Sequence, residues 1–244
     1  MIALGAYQKC KRYIECHSEY TDEFNRYIAK KGYFPTVTIS RQTGTGAPVI
    51  GEKFIEIMNS QHTECNCEWT YFDKNLIEKV CSDYNLPVMF AKLNVEDKYS
   101  NVETVIKDLF WFNESQWTLV QKTSKTILKL AETGNVVLVG RGASIITSKL
   151  KNVLRIRLVA PLETRIKYIQ ETQQLSYKDA EEFIKKEEQA RRNYVKSYFF
   201  KDNENPLNYH MTLNTHLLGN EGTAEIIAQA VKKRFPQIYA EAVY

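Results

Sequence analysis

The 244-residue sequence contains no apolar run approaching the roughly 18 residues that a membrane-spanning helix needs. Its opening, MIALGAYQKCKRY, carries no long apolar core behind its basic residues, so neither a membrane span nor a secretory leader is expected. Its five cysteines, Cys10, Cys16, Cys65, Cys67 and Cys81, are odd in number and lack a paired CxxC spacing, which argues against a disulfide framework and a zinc site. Reduced thiols in a cytosol, and hence a cytoplasmic protein, are the expectation. There is no internal repeat and no low-complexity linker. Nor is there a strong charge of one sign: 33 Lys and Arg against 29 Asp and Glu leave a net +4, which suits anionic ligands but is ordinary for a soluble chain. Nucleic-acid binding would rest on that mild basicity alone and is not expected.

What is present is enough hydrophobic sequence, 43%, for a substantial core. TVTIS, NVVLVG (135–140) and VLRIRLVA (153–160) are rich in β-branched residues, as strands covered on both faces are. CEWTYFD predicts a short strand and YHMTLNT a last one. Between them lie helical patterns: about Pro48 to Asn59, DKNLIEKVCSDYN, about Val102 to Leu130 with a break near 113–115, a helix opened by Pro161, the charged YKDAEEFIKKEEQARRNYVKSYF, and GTAEIIAQAVKKRF with its basic last turn. Alternation of this kind predicts an α/β architecture with a mostly parallel sheet. Residues 1–34, with one helical pattern in TDEFNRYIAKKG, read as an appendage preceding a domain over 35–244.

The stretch TVTISRQTGTGAPVIGEKF (36–54) has the order strand, glycine turn, helix. Laid on the phosphate-loop pattern GxxxxGK[ST], only Gly46 matches; Arg41, Ala47 and Pro48 occupy the other defining positions. Backbone N–H groups near Gly44 and Gly46 would still cradle an anion at a helix N-terminus, but Ala47 supplies no charge. A glycine-containing connection with no ligand fits the same residues.

Five blocks, TISRQTGTGAPVIGEKF, WTYFDKNLIEKV, VVLVGRGASII, LVAPLETRIKYI and ARRNYVKSYF with NYHMTLNT, together resemble the cytidylate kinase-like family, a branch of the nucleoside monophosphate kinase group of P-loop proteins, from about Pro35 to Phe235. The resemblance implies a three-layer α/β/α P-loop fold with a helical acceptor-binding insertion around 73–133 and a lid around 173–200. It implies ATP-dependent phosphoryl transfer to a nucleoside monophosphate or a related small phosphorylated acceptor, with ATP and magnesium as cofactors. The family's loop commonly lacks the lysine too.

The implied roles follow block by block. Thr43, Gly44, Thr45, Gly46 and Ala47 would hold nucleotide phosphates, with Arg41 the substitute cation; a local salt bridge at a strand end is the other reading of Arg41. In GRGA (140–143), Arg141 stands where the family contacts the acceptor phosphate, while Gly142 replaces the family's aspartate; a plain chain reversal fits the same residues. Asp73 orients the acceptor or binds magnesium through water, or else caps the helix beginning at Lys74. Arg165 and Arg191 match arginines leading into and within the lid, and Glu188 to Arg191 resembles its DxxR; a solvated charged helix explains the same spacing. Asn214 and Thr215 border the donor base or simply end a strand and begin a helix. Tyr71 and Phe72 read as core, and His62, His210 and His216 share no motif spacing. A protein of this fold that binds or senses a nucleotide without transferring phosphate is the competing function. No oligomeric state is legible.

Overall fold

The computed structural model describes residues 8, 12–13, 33–60, 68–75 and 117–239. Five parallel strands form its centre: β1 (Thr36–Arg41), β2 (Thr70–Phe72), β3 (Val136–Val139), β4 (Val153–Val159) and β5 (Met211–Asn214), in the spatial order β2-β3-β1-β4-β5. β1 therefore lies between two strands distant in sequence, with Thr36 opposite both Val136 and Val153. Parallel neighbours require crossovers, and helices supply them: α1 (Ala47–Asn59), α2 (Trp117–Thr133), the short α3 (Ala143–Ile146), α4 (Leu162–Gln173), α5 (Tyr177–Phe199), α6 (Thr215–Arg234) and α7 (Pro236–Tyr239).

The period-2 alternation of β1 sorts the two faces of the sheet. Val37 and Ile39 point into a core shared with Ile50 and Phe54 of α1 and Ile227 and Val231 of α6. Thr36 and Thr38 point the other way, where Thr36 Oγ1 donates to the Ala131 carbonyl at 3.0 Å and Thr38 Oγ1 lies 3.0 Å from Ser144 Oγ. That second face is covered by Ile127, Leu128, Ile145 and Ile146, joined by Val195 and Phe199 from the end of α5. Tyr13, within the segment read as an appendage, belongs to this same core: it is buried, its ring meets Phe72 edge-on at 5.6 Å, and its hydroxyl donates to the Gly134 carbonyl at 2.7 Å.

A smaller cluster, Ile166 and Ile169 with Ala180 and Ile184, zips α4 to α5. Ser176 starts α5 by accepting from the Asp179 N–H at 3.2 Å. α4 and α5 thus form a helical hairpin, and the segment 173–200 expected to be a lid consists mainly of α5, whose far end packs in the main core.

Two boundaries differ from expectation. Upstream of the expected start near Gly222, Asn214 Oδ1 accepts from the His216 N–H at 3.1 Å and opens a short helical turn at Thr215, which the non-helical Gly219 (φ 68°, ψ 171°) separates from the long helix. The described part of the helical region following the polar stretch begins at Trp117 and runs on to Thr133, three residues past Leu130, closed by Gly134 and Asn135 at positive φ. The helix in TDEFNRYIAKKG, the break near 113–115 and most of DKNLIEKVCSDYN lie outside the described residues.

Candidate functional site

Ligands of open parallel sheets bind beyond the carboxyl ends of the strands, and the sequence-predicted residues converge there. After β1 the chain turns through Gly44 (φ 83°) and Gly46 (φ 75°) into α1. Both glycines have positive φ, and Gly44 is required by contact as well: a Cβ there would lie 2.5 Å from the Arg165 carbonyl oxygen, whereas one on Gly46 would lie 2.6 Å from Oδ1 at the end of the Asn220 side chain. Thr45 Oγ1 ties the turn by donating to the Gln42 carbonyl at 2.9 Å. Among the described residues nothing accepts from the N–H groups of Gly44, Thr45, Gly46 or Ala47. They form a row of unpaired donors at the positive end of a 13-residue helix.

Thr43, by contrast, is fully engaged. Its N–H donates to Glu188 Oε1 at 3.1 Å, its hydroxyl oxygen accepts from Arg191 Nη1 at 2.8 Å, and its carbonyl accepts from Arg165 Nη1 at 3.3 Å. Glu188 and Arg191 sit one turn apart on α5, so the hairpin closes on the loop through a single threonine. Arg165, buried at the start of α4, also donates from Nε to the Ala160 carbonyl at 3.0 Å and from Nη1 to Glu188 at 2.6 Å. These bonds make it a brace for the loop.

A cavity of about 220 Å³ has walls that include Arg41, Arg141, Arg191 and Lys74, and Arg191, which also reaches Thr43, links it to the loop. Arg41 extends from the end of β1 against Gly140, where any side chain would overlap its guanidinium. Burial, and after it the Arg191 charge, lowers the Arg41 guanidinium to about 10, with Tyr71, Asp73 and Glu187 opposing. Burial also lowers Arg191, although Glu187, 3.3 Å from its Nη2, and Glu188 partly offset this. The cavity therefore holds positive charge under tension that a bound anion would relieve. Arg141 contributes from a turn in which Gly140, Arg141 and Gly142 all have positive φ (89°, 50° and 71°); its guanidinium lies 5.4 Å from the centre of the Tyr194 ring. A left-handed arginine costs about 1–2 kcal/mol, and such strain clusters at ligand sites.

Asp73 is half-buried, immediately precedes the helical residues 74–75, and contributes to the charge around Arg41. Phe72 is fully buried and Tyr71 packs against the α1 core. Asn214 caps α6, while His210 and His216 make local contacts, Nδ1 to the Arg155 N–H and Nδ1 to Thr164 Oγ1.

Sequence reasoning missed Ser40, Arg157, Asn203 and Tyr209, which meet on the same side. Arg157 Nη1 donates to Ser40 Oγ at 3.1 Å, and Tyr209 Oη lies 3.0 Å from that oxygen. One signal was available: Arg157 is a charged residue inside the apolar strand VLRIRLVA, and it is buried. Among the described residues no cluster of three or more His, Cys, Asp or Glu side chains could hold a metal ion, and no helix is long and apolar enough to cross a membrane.

A parallel β2-β3-β1-β4-β5 sheet between helical layers, with a glycine turn leading from the central strand into a helix, is a three-layer α/β/α fold of the P-loop NTPase kind. The sequence model of the cytidylate kinase-like family matches residues 36–217, and the chain belongs to that family, which supports a kinase-like nucleotide-binding function. Among solved structures, an uncharacterised protein from Eubacterium ventriosum is similar over 82% of this chain and 98% of its own, with a TM-score of 0.63 and 18% identity, a likeness of fold. Shikimate kinase from Bacteroides thetaiotaomicron is similar over 82% of this chain and 96% of its own at a TM-score of 0.43 and 13% identity. No curated protein sequence matches the chain.

Proposed function

We propose that the protein transfers the γ-phosphoryl group of ATP to a nucleoside monophosphate or a related small phosphorylated acceptor. The observation that carries this reading is the convergence of Arg41, Arg141 and Arg191 on one cavity that Arg191 links to the loop and its unpaired donors. The N–H groups of Gly44 to Ala47 hold donor phosphates, and Arg141 holds the acceptor phosphate. An acceptor phosphate oxygen forms the new bond to the γ-phosphorus as the bond to the β–γ bridging oxygen breaks, releasing ADP and a new diphosphate. The acceptor phosphate is already ionised near pH 7, its second pKa being about 6, so no general base is needed. Catalysis is then positioning and charge stabilisation, with Arg41 and Arg191 offsetting charge on the transferring group. Arg165 acts through the loop it braces. Closure of the α4–α5 hairpin excludes water.

Magnesium enters in this reading as the ATP complex, held by phosphate oxygens and water. Pro48 has no hydroxyl where the loop pattern has one, so no step is assigned to an ion held by the protein.

A second reading, nucleotide binding without transfer, draws on Ala47 in the lysine position and on Glu188 occupying the Thr43 N–H. Turnover by the wild type, Arg41→Ala and Arg191→Ala separates the two. Phosphoryl transfer requires a loss on the order of 10- to 1,000-fold in each variant with ATP binding retained; unchanged turnover in both overturns the assignment of those charges. Binding of ATP with no product from the wild type favours the second reading.

A further inference from the structure

Arg157 is a cation inside an apolar strand, and its burial, at 5% exposure, is answered by no close opposite charge. The one carboxylate within ion-pair distance among the described residues, that of Glu204, stays 3.8 Å away, is itself exposed, and is shared with Arg192 at 3.5 Å. Among the described residues Arg157 makes one hydrogen bond, from Nη1 to Ser40 Oγ at 3.1 Å. A charge taken this far out of water normally sits against a counter-ion. This one sits behind a hydroxyl.

Ser40 and Arg157 are register partners on the adjacent strands β1 and β4, so their side chains stand together on one face of the sheet. On that face Thr38 meets Ser144, which lines the cavity. Ser40 is half-buried and lines the cavity with Arg41, Arg141 and Arg191, whereas Arg157 lies behind the wall and the loop residues Thr43 to Ala47 take no part in it. The charge of Arg157 is nevertheless felt inside: Arg191, lowered first by burial, is lowered further by it.

The proton count fixes what Ser40 can offer. Tyr209 has one hydroxyl proton and gives it to the Asn203 carbonyl at 2.7 Å, so across the 3.0 Å between Ser40 Oγ and Tyr209 Oη the proton is that of Ser40. Ser40 accepts from a guanidinium and still has a proton to give, and accepting from a charged donor makes it the stronger donor. Turned about the Cβ–Oγ bond towards an anion, that proton leaves Tyr209 with an unfilled lone pair, while Arg157 keeps hold of the oxygen.

We propose that Ser40 donates a hydrogen bond to the acceptor phosphate and that Arg157 is the positioning residue that holds and polarises its hydroxyl. The group bound is a non-attacking oxygen of a phosphate monoester, on the side of Arg141, and Ser40 keeps its proton throughout. The inference rests on the acceptor site proposed above.

The test is calorimetric binding of CMP, AMP and ATP to the full chain and to its Ser40→Ala, Ser40→Cys, Ser40→Thr and Arg157→Lys variants, with the double variant Ser40→Ala/Arg157→Lys. Ser40→Ala should weaken the more tightly bound monophosphate about tenfold, the loss expected for a hydrogen bond to a charged group, with ATP held within about twofold. Ser40→Cys, of similar shape but a weak donor, should behave alike and carries this arm if the alanine variant does not fold. Ser40→Thr keeps the hydroxyl and should stay within about threefold of the wild type. Arg157→Lys keeps the charge and loses the fork; it should weaken the monophosphate about fivefold when Ser40 is present and not in the Ser40→Ala background, a coupling that a merely structural role would not produce. A wild type that binds neither monophosphate overturns the inference, as do parallel losses of ATP and monophosphate, an affinity unchanged in Ser40→Ala, or additive effects of the two substitutions. Ser40-dependent binding with no phosphoryl transfer from ATP would sink the proposed reaction and leave this inference standing; transfer with monophosphate affinity unchanged in Ser40→Ala would do the reverse.

Discussion

Glu188 Oε1 accepts from the backbone N–H of Thr43 at 3.1 Å, across 145 residues of sequence, while holding Arg165 at 2.6 Å. A carboxylate of α5 thus sits beside the loop that would hold phosphate. It serves the closed arrangement and opposes an incoming anion at once.

Glu188→Gln separates those two effects. Removing the negative charge should tighten ATP binding about fivefold, equivalent to about 1 kcal/mol, the upper range for a solvent-screened charge pair. Arg165 at the same time exchanges its ion partner for a neutral amide in a largely buried setting, at a cost of about 1–3 kcal/mol in unfolding free energy. Calorimetry and urea unfolding read the two numbers. Weaker ATP binding by the folded variant would show that the carboxylate shapes the loop for phosphate instead of opposing it.

The two loop glycines should not tolerate alanine equally. Both have positive φ, but the new methyl at position 44 meets the backbone carbonyl of Arg165, whereas at position 46 it meets the end of the Asn220 side chain, which can rotate away. Gly46→Ala is expected to cost about 1–2 kcal/mol for the left-handed conformation. Gly44→Ala should cost more. Equal losses in denaturant unfolding would contradict the packing described for Arg165.

Gly142 stands where the resemblance would place an aspartate, and the structure gives the reason no side chain fits. A Cβ there would lie 2.6 Å from Cε2 of Phe199, the buried last residue of α5, and φ is 71°. Gly142→Asp should therefore destabilise the protein by about 2 kcal/mol or more. Adding Phe199→Ala should make the aspartate substitution less costly than it is in the wild type. A double-mutant cycle with no coupling would argue against this contact.

His210 provides a pH signature. Its Nδ1 accepts from the Arg155 N–H at 2.9 Å, which only the unprotonated nitrogen does. Burial first, then the charges of Arg155 and Arg234, lower it to about 4 from the ordinary 6.5. Between those values the unfolded chain binds the extra proton and the folded chain does not, so stability rises with pH across this window. The contribution is complete above about 6.5 and is lost as pH falls through about 4. His210→Ala should flatten the pH dependence of urea unfolding between pH 4 and 6.5; an unchanged slope would sink the assignment.

The fold was legible where burial leaves a plain trace. Strands covered on both faces read as continuous β-branched runs, which exposed NVVLVG and VLRIRLVA, and the 3.6-residue pattern of YKDAEEFIKKEEQARRNYVKSYF marked a helix that spans Tyr177–Phe199. The glycine turn showed itself because so few residues accept positive φ. The short turn before the Gly219 kink did not, since its cap, Asn214, is hidden at the end of a strand. Arg41, Arg141 and Arg191 were found by pattern, yet the bracing of the loop by Arg165 and the setting of Arg157 and Asn203 depend on side chains that meet only after the sheet has assembled.

The central claim is phosphoryl transfer at the cavity that Arg191 links to the Gly44–Ala47 loop. The measurement that tests it most directly incubates the folded protein with magnesium, ATP labelled on the γ-phosphate and a panel of ribo- and deoxyribonucleoside monophosphates. The account predicts label in a nucleoside diphosphate, lost in Arg141→Ala under conditions where ATP still binds. Intact ATP with every acceptor in the panel, from a protein that demonstrably binds ATP, would contradict it.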